Sequence, residues 1–127
     1  MQNAERRMKM IKSNPIEEKS FAFAVRVVRL YRYLTEEKKE YVISKQFLRS
    51  GTSIGANVSE AERGQSKADF ASKMAIALKE ANESEYWLRL LYAGEYLNEA
   101  EFTSMSRDVN ELISLLVAIC KSVSKDK

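Results

Sequence analysis

Histidine is absent from this chain, and cysteine and proline occur once each. Without histidine there is no Ser-His-Asp triad, no ordinary zinc site and none of the Glu-x-x-His pairs of di-iron bundles. The single Cys120 cannot close an internal disulfide or build a metal site alone, so nothing points to an oxidising compartment. One proline and four glycines in 127 residues leave little turn material for a β-sandwich. No apolar run approaches the roughly 20 residues that cross a bilayer. The opening MQNAERRMKMIKSN is basic, without an apolar stretch of signal-peptide length. A cytoplasmic protein with no cofactor and no membrane partner is the expectation.

What the chain does have is helix material: 45% hydrophobic and 31% charged residues, rich in Ala, Leu, Glu, Lys and Arg. Four helices are bracketed by local signals. Asn14-Pro15-Ile16-Glu17 sets a capping Asn before a proline at the first helical position, and a first helix to about Leu34 follows. Thr35, with Glu36 and Glu37 behind it, reads as the cap and acidic first turn of a second helix that stops near Gly64. Ser66 with Asp69 opens a third helix, which Gly94 ends, and Asn98 with Glu101 opens the fourth.

Apolar spacing agrees with these brackets. Phe70, Met74, Ala77, Ala81, Ser84, Leu88 and Leu91 advance by fours and threes. So do Phe102, Met105, Val109, Leu112, Leu116, Ile119 and Val123, as well as Phe23, Val27, Leu30 and Leu34, a row widened by Ala24, Val28 and Tyr31. This is the period of helices packed at a shallow angle. Short connections make neighbours antiparallel. The expected architecture is therefore all-α, an antiparallel up-down-up-down four-helix bundle over residues 14–127, preceded by a basic arm at 1–13.

The second helix is irregular. Its middle, Arg49-Ser50-Gly51-Thr52-Ser53-Ile54-Gly55-Ala56-Asn57, is poor in helix formers, and each interior glycine costs about 1 kcal/mol relative to alanine. Gly51 and Gly55 share a face, which suits close approach of another helix. They do not make a phosphate loop, because the Lys-Ser/Thr ending and the preceding strand are missing. Arg49, Ser53, Asn57 and Glu60 share another face. A polar stripe inside an apolar bundle must be hydrogen-bonded. A satisfied network or a subunit contact is favoured over a recognition surface.

The run Phe47 to Ala61, FLRSGTSIGANVSEA, resembles the signature of the small four-helix bundle proteins encoded in 23S rRNA intervening sequences. The likeness continues through Ser66-Lys67-Ala68-Asp69-Phe70, Ile76-Ala77-Leu78-Lys79-Glu80-Ala81 and Glu83-Ser84-Glu85-Tyr86-Trp87-Leu88. At the front, Asn14-Pro15-Ile16 and Lys19-Ser20-Phe21 resemble one branch of the family. The similarity extends to the accessory protein of diversity-generating retroelements, a basic pentameric barrel associated with nucleic acid and a reverse transcriptase. The resemblance thus implies a homopentamer, a nucleic-acid or reverse-transcriptase-like partner, and Arg49, Ser53, Asn57, Glu60 and Glu83 as the motif's polar positions.

Charge is uneven. Residues 1–34 hold eight Lys or Arg against three acids, whereas residues 80–111 hold two against eight. Arg6 and Arg7 lie in the basic arm, and Arg26, Arg29 and Arg32 run down one side of the first helix. Such a stripe can neutralise phosphates of RNA or DNA. The bland counterpart is a solvated face that pairs with the acidic third and fourth helices of a neighbour.

An enzyme reading rests on Glu80, Glu83, Asp108 and Glu111, since paired carboxylates on adjacent helices can hold Mg²⁺ in nucleotide pyrophosphohydrolases. The heptad opposes it by placing Glu80 and Asp108 beside the core and turning Glu83 and Glu111 outward. Serine and tyrosine are plentiful but have no identifiable base. The reading that best fits is a non-enzymatic oligomer that binds nucleic acid or a nucleoprotein partner. A protein-interaction scaffold is the alternative.

Overall fold

The computed structural model describes residues 14–125. It contains helices α1 (Pro15–Glu36), α2 (Ile43–Glu62), α3 (Lys67–Ala93) and α4 (Glu99–Lys125), with no strand among the described residues. The basic arm lies outside the described residues. Each helix packs on two others: α1 and α3 both lie against α2 and α4, so α1 and α3 occupy opposite corners. Contacts between neighbours run in opposite senses. Asn14 meets Glu62 while Val27 meets Gly51, Glu60 meets Lys73 while Arg49 meets Glu83, and Lys19 meets Glu111 while Arg26 meets Asp108. That is the antiparallel arrangement expected of short connections.

Local chemistry explains most boundaries. Asn14 Oδ1 accepts from the Ile16 N–H at 3.0 Å, and its Nδ2 donates to Glu62, joining the start of α1 to the end of α2. Ser66 Oγ accepts from the Asp69 N–H at 3.0 Å. Asn98 and Glu101 form the reciprocal capping box, each backbone N–H donating to the other's side chain at 2.8 Å.

The start of α2 departs from expectation. Thr35 caps nothing: its Oγ1 donates back to Tyr31 O at 3.0 Å, and α1 continues to Glu36. The helix instead begins at Ile43, and Val42 at the cap position supplies no side-chain bond. Glu40, buried, supplies it: its carboxylate accepts from the N–H groups of Val42, Ile43 and Ser44 at 3.1, 2.8 and 2.6 Å. Ser44 Oγ donates back to Glu40 O at 2.7 Å. Burial pushes the Glu40 carboxyl upward, but the three backbone donors and the Ser44 hydroxyl outweigh it and hold the group below its ordinary value.

On α1, α3 and α4 the core follows the expected rows, with Leu30 only half-buried, and α2 adds Phe47, Ile54 and Val58. Phe23, Val27, Leu34, Phe47, Ile54, Val58, Met74, Leu88, Leu91, Val109, Leu112 and Leu116 are fully enclosed. Each such side chain contributes about 1.5–3 kcal/mol by burial. Phe23 and Phe47 meet edge to face across α1 and α2 at 6.5 Å. The small residues of α2 let α1 approach: a methyl on Gly55 would lie 3.3 Å from the Ser20 carbonyl oxygen. Two buried serines cross from α2 to α3, Ser50 Oγ and Ser84 Oγ at 2.8 Å, and no buried side-chain polar atom among the described residues lacks a partner.

Candidate functional site

The arginines of α1 are not equivalent. Arg26 turns onto α4, donating to Ser104 Oγ at 2.7 Å and pairing with Asp108. Lys19 pairs with Glu111 at 3.0 Å on the same seam. Arg29 and Arg32 are exposed and pair with no carboxylate among the described residues. Arg6 and Arg7 lie outside the described residues. The expected stripe therefore divides: Arg26 joins helices within the bundle, while Arg29 and Arg32 present charge to solvent.

The stripe on α2 is on the seam with α3 rather than inside the bundle. Arg49 and Glu60 are exposed, Ser53 and Asn57 half-buried. Arg49 donates to both Glu80 and Glu83, and Trp87 Nε1 donates to Glu83 at 3.0 Å. Ser53 Oγ donates to Arg49 O at 2.7 Å, Asn57 Nδ2 to Ser53 O at 2.8 Å, and Lys73 pairs with Glu60 at 2.8 Å. Burial pushes the Glu83 carboxyl up, but Trp87 and Arg49 hold it below its ordinary value, and Glu83 in turn raises Arg49. The five motif positions thus form one seam, each making at least one bond within the bundle. The polar side chains buried along it are Glu80, Ser50 and Ser84, the two serines each one residue after Arg49 and Glu83.

The four carboxylates do not converge. Glu80 and Glu83 face α2 and are engaged by Arg49; Asp108 and Glu111 face α1 and are engaged by Arg26 and Lys19. Glu83 is not turned into solvent as its heptad position implied, because Arg49 and Trp87 cover it. No group of three or more metal-ligating side chains occurs among the described residues.

Three outward patches carry apolar side chains, on α1, on α3 and at the α1–α2 turn. Phe21 and Val28 stand outward on α1, 56% and 41% exposed, and Tyr86 and Leu90 stand outward on α3, in line with exposed Asn82 and Ala75. The signal was present in the apolar residues beyond the heptad, such as Val28, which serve a second face. At the α1–α2 turn, Tyr41 and Val42 are 58% and 74% exposed, beside Lys38, Lys39 and Lys45. No helix of the described residues is long and apolar enough to cross a membrane.

None of the curated proteins matches the chain. Among solved structures, it is similar to a protein of unknown function of the S23 ribosomal protein family from Bacteroides thetaiotaomicron. The two are 56% identical, with a TM-score of 0.84 over 85% of this chain and 96% of that one. The family model for the 23S rRNA-intervening sequence protein matches residues 12–118, in agreement with the motif from Phe47 to Ala61 and the four-helix architecture. This chain belongs to the 23S rRNA-intervening sequence protein family.

Proposed function

We propose that the protein is a non-enzymatic, cytoplasmic oligomer that binds RNA or DNA, or a protein working on them such as a reverse-transcriptase-like enzyme. The observation that carries this reading is the division of charge on α1. Arg26 and Lys19 are held by α4 carboxylates, whereas Arg29 and Arg32 stand exposed without an acid partner among the described residues. Exposed guanidinium groups in a row can each displace a counterion from a phosphate backbone.

Assembly is supported by the outward apolar side chains of α1 and α3. Phe21 and Val28 on α1, and Tyr86 and Leu90 on α3, are exposed on helices at opposite corners of the bundle. Two different apolar patches on separate helices suit a head-to-tail contact, which closes into a ring when the rotation allows. A ring of five is the size implied by the family resemblance. Arg29 and Arg32 border Val28 on the side towards the end of α1. Repetition around the ring then multiplies a modest patch through effective concentration.

The non-enzymatic reading is supported by the dispersal of Glu80, Glu83, Asp108 and Glu111 between two seams. A scaffold that binds protein alone is the second reading, favoured by the aromatic character of the α3 face. Fluorescence anisotropy of labelled RNA and DNA separates them. Affinity in the micromolar range that falls steeply between about 50 and about 200 mM salt supports nucleic-acid binding, and Arg29→Gln with Arg32→Gln reduces the salt slope by about 2. No binding to any probe at low salt leaves the protein scaffold.

A further inference from the structure

The turn between α1 and α2 is built more firmly than a connection requires. Lys39 adopts a left-handed backbone, φ 55°, which a side-chain-bearing residue tolerates at a cost of about 1–2 kcal/mol. Glu40 is buried directly after it and grips three successive N–H groups. The backbone on both sides of Tyr41 is thereby held, and Tyr41 and Val42 are presented to solvent at 58% and 74% exposure. The left-handed Lys39 ends α1, with the Glu40 N–H donating to Leu34 O at 2.9 Å, and the buried clamp fixes the turn from the α2 side. An aromatic ring held on a rigid support loses little conformational freedom when it binds.

The surroundings select the partner. Arg32, Lys38, Lys39 and Lys45 are exposed around this turn, against exposed Glu36 and Glu37, and none of the four cations makes an ion pair among the described residues. Lys38 Nζ rests 5.9 Å from the Tyr33 ring. At the same end of the bundle, Glu95 and Glu101 line a cleft together with Lys38 and Tyr33, so a polyanion is directed to the side of the turn that carries Tyr41, Lys39 and Lys45. The α2 N-terminus cannot take a phosphate itself, because the Glu40 carboxylate already occupies its N–H groups. Phosphates must therefore be met by side chains, and the presented ring must meet something planar.

From this juxtaposition we propose that the α1–α2 turn is a single-stranded nucleic-acid contact, with Tyr41 stacking on a base and Arg32, Lys38, Lys39 and Lys45 neutralising the flanking phosphates. An unpaired strand exposes its base faces to a protruding ring; a duplex hides them. The inference rests on the nucleic-acid reading above and specifies its ligand and contact.

The test titrates the full chain into a labelled homopolymeric strand and a hairpin duplex of the same length at low salt. The wild type binds the strand more tightly than the duplex. Tyr41→Ala weakens strand binding about tenfold, and Tyr41→Phe, which keeps the ring, does not. Replacing Lys38, Lys39 and Lys45 by Gln lowers the salt slope by about 2. Tyr41 is exposed, so circular dichroism of the variants matches the wild type. Binding that ignores Tyr41→Ala, or that prefers the duplex, overturns this contact while leaving nucleic-acid binding intact. No binding by the wild type to either probe overturns the broader reading and this contact with it.

Discussion

A methyl group placed on Gly51 would lie 2.7 Å from Cγ2 and 2.9 Å from Cγ1 of Val27. Val27 is fully buried and β-branched, so it has little rotamer freedom with which to retreat. Gly51→Ala gains about 1 kcal/mol of helix propensity and incurs overpacking of about 1–3 kcal/mol. The clash wins, and thermal denaturation shows net destabilisation. Val27→Ala creates space at the same point, so Gly51→Ala is better tolerated in that background. Strictly additive effects in the double-mutant cycle would refute the contact.

Glu40 makes stability depend on acid. Its carboxyl lies below its ordinary value in the folded chain, so its contribution is complete above the unfolded value of about 4.3 and is lost as pH falls through the lower folded value. Glu40→Gln removes the charge that three N–H groups share, and the expected loss at neutral pH is about 1–2 kcal/mol. Chemical denaturation across pH should show wild type and variant converging below about pH 4. A difference that stays constant across that range would contradict the clamp.

The end of α3 holds an improvable position. Tyr96 N–H donates to Leu91 O at 2.9 Å and Glu95 N–H to Tyr92 O at 3.0 Å, the paired bonds of a Schellman motif. The left-handed residue of that motif is Glu95, φ 70°, while the adjacent Gly94 has ordinary helical φ of −82°. Glu95→Gly relieves the strain and raises stability by about 0.5–1 kcal/mol, read as an upward shift in Tm. Gly94→Ala is the control and yields no comparable gain.

The contrast between Gly94 and Glu95 shows what sequence could and could not convey. Asn14, Ser66 and Asn98 were legible as caps because each acts within three residues of itself. The core heptads of α3 and α4 were legible because their period is maintained for the whole helix. Thr35 misled because its hydroxyl has two local options and takes the Tyr31 carbonyl within α1. Glu40 was missed although its bonds to the Val42, Ile43 and Ser44 N–H groups are just as local, because Glu is not among the usual capping residues and Thr35 with Glu36 and Glu37 offered a more familiar helix start. On α2, spacing placed Arg49, Ser53, Asn57 and Glu60 together correctly. It could not say that the face one residue over, with Ser50, Gly51, Ile54 and Val58, is the buried one. Spacing likewise could not show that Asp108 reaches back to capture Arg26, a pairing 82 residues apart.

If the proposed head-to-tail assembly forms, charging the outward faces dismantles it without unfolding the subunit. Leu90 is 37% exposed on α3 and Phe21 56% exposed on α1, so neither supports the core. A glutamate at either place costs little in the isolated bundle, since surface substitutions usually fall within about 0.5 kcal/mol. Within a head-to-tail contact the same charge is desolvated against an apolar partner, which costs several kcal/mol at every interface of the ring. Light scattering should therefore give a multiple of 14.6 kDa for the wild type and the single-chain mass for Phe21→Glu and for Leu90→Glu, with unchanged helicity. Because a head-to-tail interface uses one face from each subunit, mixing the two variants restores one intact junction, between the unaltered α1 face of one and the unaltered α3 face of the other. The mixture should form dimers. An isologous dimer through α3 alone would instead survive Phe21→Glu, and that outcome would exclude the ring.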